Sequence, residues 1–239
     1  MKQNTFFYIG FTLLSALFLI SAAVMGHFIN SRSSSIFAAS EPEELCIVID
    51  AGHGGEDGGC VSDNGVLEKD INLEVSLKVA ELLNSMGYNT IMTRSEDKML
   101  YDMYGDNYSG RKKTFDLKNR LRFARENDAD ILVSIHMNKF PQSSCKGLQV
   151  YYSKNHTDSS VVAEKIQSYN KTYLQTDNER AIKKADKNIF LLDRAEMPAV
   201  LVECGFLSNR EEADKLCNDD YRKELSFVIA SAIAENIES

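Results

Sequence analysis

Four histidines occur in the chain, and two of them, His53 and His136, stand at or just past short apolar runs that read as buried strands. Glu203 closes a third such run, Ala199 to Val202. Two imidazoles with a carboxylate make a donor set for a catalytic zinc ion, which takes three protein ligands and keeps one position open for water. His27 lies in a long apolar segment and His156 in a loop past a strand pattern, so neither competes for that role. The third donor must be acidic. Glu68 opens a helical pattern, where a carboxylate also meets the positive end of the helix, and Glu56, Asp57 and Asp70 are its rivals. Glu203 is of another kind. Ending Ala-Val-Leu-Val and followed by Cys204-Gly205-Phe206, it is expected to be partly buried, and burial raises a carboxyl pKa towards the range useful for proton transfer. Taken singly, each of these residues also reads as a turn histidine, a helix-start acid or an ion-pair partner. Their common placement at strand ends is what joins them.

The elements that must position them alternate. Ile47-Val48-Ile49 reads as the first strand, and the glycine-rich turn GHGGEDGG carries His53 past its carboxyl end, where open α/β sheets bind ligands. Ile71, Val75, Val79, Leu82 and Met86 give a helix stopped by Gly87, and Tyr88 to Arg94 a second strand. Ser95 to Phe115 is polar, tyrosine-bearing and without a period, and reads as a long loop or substrate rim. Asp116 is placed as the cap of a helix to Asn127, ahead of a strand at Ile131 to Ile135. Leu148 to Tyr152 is read as a strand, followed by a helix from Ser159 or Ser160 with Val162, Ile166, Tyr169 and Tyr173 on one face. A short strand near Ile189 to Leu192, the strand ending at Glu203, and a helix from Tyr221 to Ile237 complete the chain. This order predicts an α/β fold, a single mostly parallel (mixed) sheet flanked by helices on both faces. If the three most apolar strands are parallel neighbours, His53, His136 and Glu203 emerge at one edge.

Bulk properties bound the partners. With 44% apolar and 26% charged residues the 239-residue chain is globular, and its net charge of −8 argues against nucleic acid. None of the five cysteines forms a C-x-x-C pair; a disulfide such as Cys60 to Cys145 is open, and Cys46 reads as a small buried hydrophobe. Residues 6–29 are almost wholly apolar and long enough to cross a bilayer. They fit an uncleaved anchor, which their length favours, or a secretory signal cut near residues 38–40. Either way the rest is exported. The domain organisation expected is 1–29 membrane anchor or signal, 30–44 linker, and 45–239 catalytic domain.

IVIDAGHGG with His53, LEKD with Glu68, SIHMN with His136 and PAVLVECGFLSN with Glu203 stand in an order that resembles the zinc-dependent N-acetylmuramoyl-L-alanine amidases over Leu45 to Ile237. A membrane segment followed by one catalytic domain is similar to the spore-cortex subgroup, which strips stem peptides from muramic acid on the way to muramic lactam. The resemblance implies an amidase-type α/β sheet, zinc bound by His53, Glu68 and His136, and Glu203 as the catalytic carboxylate. It places Asn138 and Arg180 at substrate-binding positions, and leaves Arg94 and Arg120 between site and structural roles. It implies peptidoglycan glycan strands with stem peptides as substrate, leaves room for an activator protein, and puts the enzyme outside the membrane, the forespore intermembrane space included. The chain departs from the pattern in its long 95–115 connection and in Cys60 and Cys204, which stand beside site residues. The sequence also admits three other readings: a non-catalytic peptidoglycan-binding protein on the same fold, an exported zinc peptidase cutting within the stem, and a thiol hydrolase using Cys60 or Cys204.

Overall fold

The computed structural model describes residues 45–105 and 107–238; the anchor and linker expected over residues 1–44 lie outside them. Strand β1 (Cys46–Ala51) is buried along its whole length, as a continuous apolar run in a central parallel strand must be. It lies between β2 (Asn89–Met92) and β3 (Ile131–Asn138), parallel to both. β6 (Ala199–Phe206) continues the sheet in parallel beside β3, while β4 (Gln149–Tyr152) pairs antiparallel with β6 and parallel with the two-residue β5 (Lys183–Lys184). The order is β2-β1-β3-β6-β4-β5, a mixed sheet with a parallel centre.

Side chains alternate across each strand, so the sheet has two apolar faces. Ile47, Ile49, Val133, Ile135, Val200 and Val202 pack under helices α1 (Glu68–Ser85), α3 (Asp158–Tyr173) and α6 (Asp219–Glu238), which contribute Val75, Leu83, Ile166 and Ile229. Val48, Leu132 and Leu201 face α2 (Lys112–Glu126) and the short α4 (Phe190–Arg194), meeting Leu121, Ala124 and Leu192. Helix α5 (Arg210–Cys217) is capped by Asn209, whose side chain accepts from the Glu212 N–H at 3.2 Å. Of the described helices, none is long and apolar enough to span a membrane.

Several expectations need correcting. Helix α2 begins at Lys112, four residues before Asp116. Asp116 is no cap: its carboxylate is turned inward onto Arg120 and the Leu100 N–H. The apolar run Ile189 to Leu192 falls in a helical turn instead of a strand, an ambiguity that short apolar runs carry. The sheet's small strand is instead Lys183–Lys184, an exposed charged edge with no apolar signature. The final helix expected over Tyr221 to Ile237 is present as Asp219–Glu238, and a helix that was not expected, Arg210–Cys217, precedes it. Tyr173 is 68% exposed, and Leu83 replaces Met86 on the inner face of α1. All five cysteines are free, so the Cys60–Cys145 disulfide is absent, and Cys46 is buried in β1.

Candidate active site

β1, β3 and β6 are parallel neighbours, and their carboxyl ends form one edge. His136 and Glu203 are register partners across β3 and β6, and Gln149 of β4 is the partner of Glu203 on its other side. All three belong to the sheet face that carries α2, by alternation from Leu132 and Leu201. A register irregularity follows between His136 and Asn138, so the strand leaves its ladder just where the site begins.

His53 sits on the turn after β1 with φ of 61°, a conformation few residues other than glycine adopt. A buried network holds it there. Asp50 is fully buried and accepts from Arg120, Thr93 and Ser134 at 2.7, 2.7 and 2.5 Å. Arg120 spans from Asp116 and Asp50 to the carbonyls of Ala51 and His53. Arg94 donates to the carbonyls of Ala51, Gly52 and Lys69. Both arginines are 2% exposed or less and point away from solvent, which assigns them to the scaffold of the turn. Burial works against the charge on Asp50, but Arg120 and the two hydroxyls hold its carboxyl down at about 2.

Glu68, the first residue of α1, reaches both histidines. Its Oε1 lies 3.3 Å from His53 Nε2 and 3.0 Å from His136 Nδ1, and also accepts from the Met137 N–H; Oε2 accepts from the Cys60 N–H at 2.8 Å. Ligand atoms of His53, Glu68 and His136 all lie within 4.8 Å of one another. Glycines make this closeness sterically possible: a Cβ on Gly52 would overlap the His136 ring, and one on Gly59 would fall 2.5 Å from Glu68 Oε2. Burial alone would raise the Glu68 carboxyl, yet the two imidazoles pull it well below the carboxylate range. For His53 burial is outweighed by Glu68 and Asp57, and its pKa rises. An anionic oxygen facing two imidazoles is a site that wants a cation.

The rival acids are elsewhere. Glu56 pairs with Lys112 at 2.6 Å on the surface, and Asp70 is exposed. Asp57 accepts from His53 Nδ1 at 2.9 Å and meets Lys113 at 3.1 Å. It therefore occupies the far nitrogen of the ring and leaves Nε2 on the Glu68 side, the usual arrangement behind a metal-ligating histidine.

Glu203 contrasts with all of these. Its Oε2 is buried and has no hydrogen-bond partner. Burial, with Glu68 adding to it against the opposing histidines, pushes its carboxyl up to about 7. Asn138 ends β3 half-buried, and its carbonyl accepts from the Leu207 N–H at 2.8 Å. Arg180 stands beyond Glu203 on the β4 side, donating to Gln149 Oε1 at 3.2 Å. The thiols of Cys60 and Cys204 are raised, by burial first and then by Glu68 and Glu203, so neither is a ready nucleophile, and a thiol hydrolase loses its support.

The family model of N-acetylmuramoyl-L-alanine amidases matches residues 47–235. The chain belongs to this family. Its activity is accordingly that of an amidase on peptidoglycan. The amidase domain is 35% identical over 187 residues to the germination-specific N-acetylmuramoyl-L-alanine amidase of Bacillus subtilis (strain 168), covering 78% of this chain and 77% of that protein. Identity is 37% over 198 residues with the uncharacterized protein YqiI of the same organism, covering 82% and 86%. Among solved structures, the CwlD amidase from Clostridioides difficile in complex with the GerS lipoprotein superposes with a TM-score of 0.76 at 37% identity, over 81% of this chain and 98% of that one.

Sequence reasoning missed three contributors. Asp50, a charged residue inside an otherwise apolar strand, carried a signal. Asp57 was in view as a rival ligand only. Gln149 gave none, because a polar residue opening a strand is ordinary.

Proposed function

We propose that the amidase uses zinc held by His53, Glu68 and His136, that Glu203 is its catalytic carboxylate, and that it acts on spore-cortex peptidoglycan in the direction of muramic lactam. The observation that carries the reading is the convergence of three donors within 4.8 Å beside a buried carboxylate oxygen with no partner. The donor set fits the ion: two neutral imidazoles and an anion suit a borderline-soft divalent metal. Bound there, it supplies Lewis acidity towards water and the scissile carbonyl.

The protein's own groups do the rest. Asp57 and the Arg120 network fix the His53 ring before substrate arrives. Glu203 takes the proton of the attacking water at its free oxygen and delivers one to the nitrogen of L-alanine, which cannot leave as an amide anion. Asn138 and Arg180 bind substrate on the two sides of Glu203. Residues 1–29 anchor the enzyme on the outer side of the membrane, with 30–44 as linker. The pairing of a relative with a lipoprotein supports a lipoprotein partner here, one that serves as activator.

Metal content of the full chain beside His53→Ala, with mass spectrometry of a peptidoglycan digest, tests this. One zinc per chain, lost in the variant, and peptides with intact L-alanine amino termini are expected. Metal-independent release, or cuts within the stem, overturn the assignment.

A further inference from the structure

On the β4 side of Glu203, Arg180 stands on the wall of a cavity of about 520 Å³, with Lys146, Asn178, Glu212 and Lys215 beside it. Arg180 is fixed from several sides, and each of its partners is neutral. Its Nε donates to the Lys146 carbonyl at 2.7 Å, its Nη1 to Gln149 Oε1, its backbone N–H to Asn178 Oδ1 at 3.0 Å, and the guanidinium lies 4.6 Å from the Phe206 ring centroid. The charges around it are spent on one another. Lys146 pairs with Asp177, Lys215 with Glu211, and Glu179 with Lys171. Glu212 gives its two oxygens to the N–H groups of Gly147 and Phe206. Among the described residues Arg180 makes no salt bridge to a carboxylate; Glu212 feels its charge, but both Glu212 oxygens are taken by backbone N–H groups, so Arg180 is the cation this cavity offers to a visitor. A guanidinium held rigid and not ion-paired is preorganised for a carboxylate.

Its place in the sheet register says which carboxylate. Gln149, which holds Arg180, is the direct cross-strand neighbour of Glu203. Cross-strand neighbours stand about 5 Å apart, and an extended peptide advances about 3.4 Å per residue. A chain leaving the scissile bond towards β4 therefore brings its second residue to Arg180. Tyr151 feels both groups, its phenol raised first by burial and then by Glu203, with Arg180 opposing.

We propose that this cavity is the stem-peptide subsite and that Arg180 selects a free carboxylate over a carboxamide on the second residue of the stem. The proposal rests on the amidase reading and deepens it. Selection of this kind follows from chemistry: a carboxamide cannot neutralise the guanidinium and turns an N–H₂ towards a group that only donates.

The test uses the full chain loaded with zinc and carrying Glu203→Gln, so that ligands are bound without turnover. Calorimetry compares N-acetylmuramoyl-L-alanyl-D-glutamate with N-acetylmuramoyl-L-alanyl-D-isoglutamine, which differ only in one carboxylate made carboxamide. The acid is expected to bind about 10- to 100-fold more tightly, the span of one charge-assisted hydrogen-bonded pair. Adding Arg180→Gln should equalise the two, and Arg180→Lys, which keeps the charge without the fork, should retain part of the preference. Equal binding with Arg180 present, or a preference that survives Arg180→Gln, overturns the proposal. If Arg180→Gln fails to fold, the comparison of the two ligands on Arg180 and on Arg180→Lys decides alone. Failure of the amidase reading is separate, since it appears as no stem-peptide release from peptidoglycan by the unmodified chain.

Discussion

The two sides of the catalytic edge are built on opposite principles. On the β1 side the groups that hold the His53 turn are tied: Asp50 has three donors, Arg120 four acceptors, and Asp57 closes the outer nitrogen of His53. On the β6 side Glu203 stands between its register partners His136 and Gln149, with one buried oxygen bonded to nothing. The first arrangement fixes geometry. The second keeps a carboxylate basic by denying it the bonds that would stabilise its charge. A metal ligand would profit from the former and a proton carrier from the latter, which is the division the proposed mechanism needs.

Glu203→Gln breaks the β6 side and gives the largest expected effect. Hydrolysis of peptidoglycan should fall by about 10²- to 10⁴-fold, the range of a positioned acid–base group. Stability should move the other way. The Glu203 carboxyl sits at about 7 in the fold against an ordinary 4.5, so between those values the unfolded chain has shed a proton that the folded chain keeps. The metal-free protein therefore loses stability as pH rises through that window, and the amide removes the loss. Urea titration of the metal-free chain at pH 8 should show the variant more stable by about 1–3 kcal/mol. A variant that is less stable at pH 8 would mean that Glu203 has bonds in solution that the structure lacks.

Arg120→Met breaks the β1 side, and here fold and function should fall together. It leaves Asp50 and Asp116 buried without their counter-charge, a change worth about 3–5 kcal/mol. The pH signature has its own sign. With its carboxyl held at about 2 against an ordinary 3.8, Asp50 contributes stability above pH 3.8 and loses it as pH falls towards 2. Acid titration of the unmodified chain should show that loss, and Arg120→Met should flatten it. Equal acid profiles would demote the network from support to ornament.

Gly59→Ala sharpens the comparison at the point where the ligands crowd. The residue has φ of +70°, and a Cβ would lie 2.5 Å from Glu68 Oε2 and 2.8 Å from His53 Cδ2. The left-handed backbone alone costs an alanine about 1–2 kcal/mol, and two donors must move as well. Thermal unfolding with and without added zinc should show the metal's stabilisation shrinking more than the metal-free stability does. The reverse order would mean that the turn gives way without disturbing the donors.

Much of the edge was legible in the sequence because it is written in local signals. Ile47-Val48-Ile49, Ile131 to Ile135 and Ala199 to Val202 are apolar runs of strand length, and each delivers one polar residue at or near its end. Glu68 was in view as an acid at a helix start, one of four candidates until the family resemblance singled it out. What was not legible depends on tertiary closure. Asp116 looks like a cap until Arg120 is seen to draw it inside, and Lys183–Lys184 becomes a strand only because Tyr151 and Tyr152 are there to pair with it. Arg94 and Arg120 could not be sorted between substrate and scaffold until the carbonyls of Ala51, Gly52 and His53 were found in their reach.

Asp57 tests the comparison at its finest grain, because it belongs to the tied side yet lies near the surface. Its carboxylate receives His53 Nδ1 at 2.9 Å, and Lys113 holds it from outside at 3.1 Å. In the proposed zinc site its work is orientation: with Nδ1 engaged as donor, Nε2 keeps the lone pair that a metal needs. Asp57→Ala frees the ring to turn and to exchange tautomers, and zinc affinity by chelator competition should fall about 10-fold or somewhat more. Asp57→Asn can still accept through its carbonyl oxygen and should lose less. Thermal stability of the metal-free chain should change little in either, since the residue is partly exposed and no buried charge is stranded. A loss of fold without a loss of zinc affinity would place Asp57 with Arg120 as scaffold. The graded loss of affinity would instead show that bonding on the β1 side extends outward from the buried arginine to the ligand's own ring.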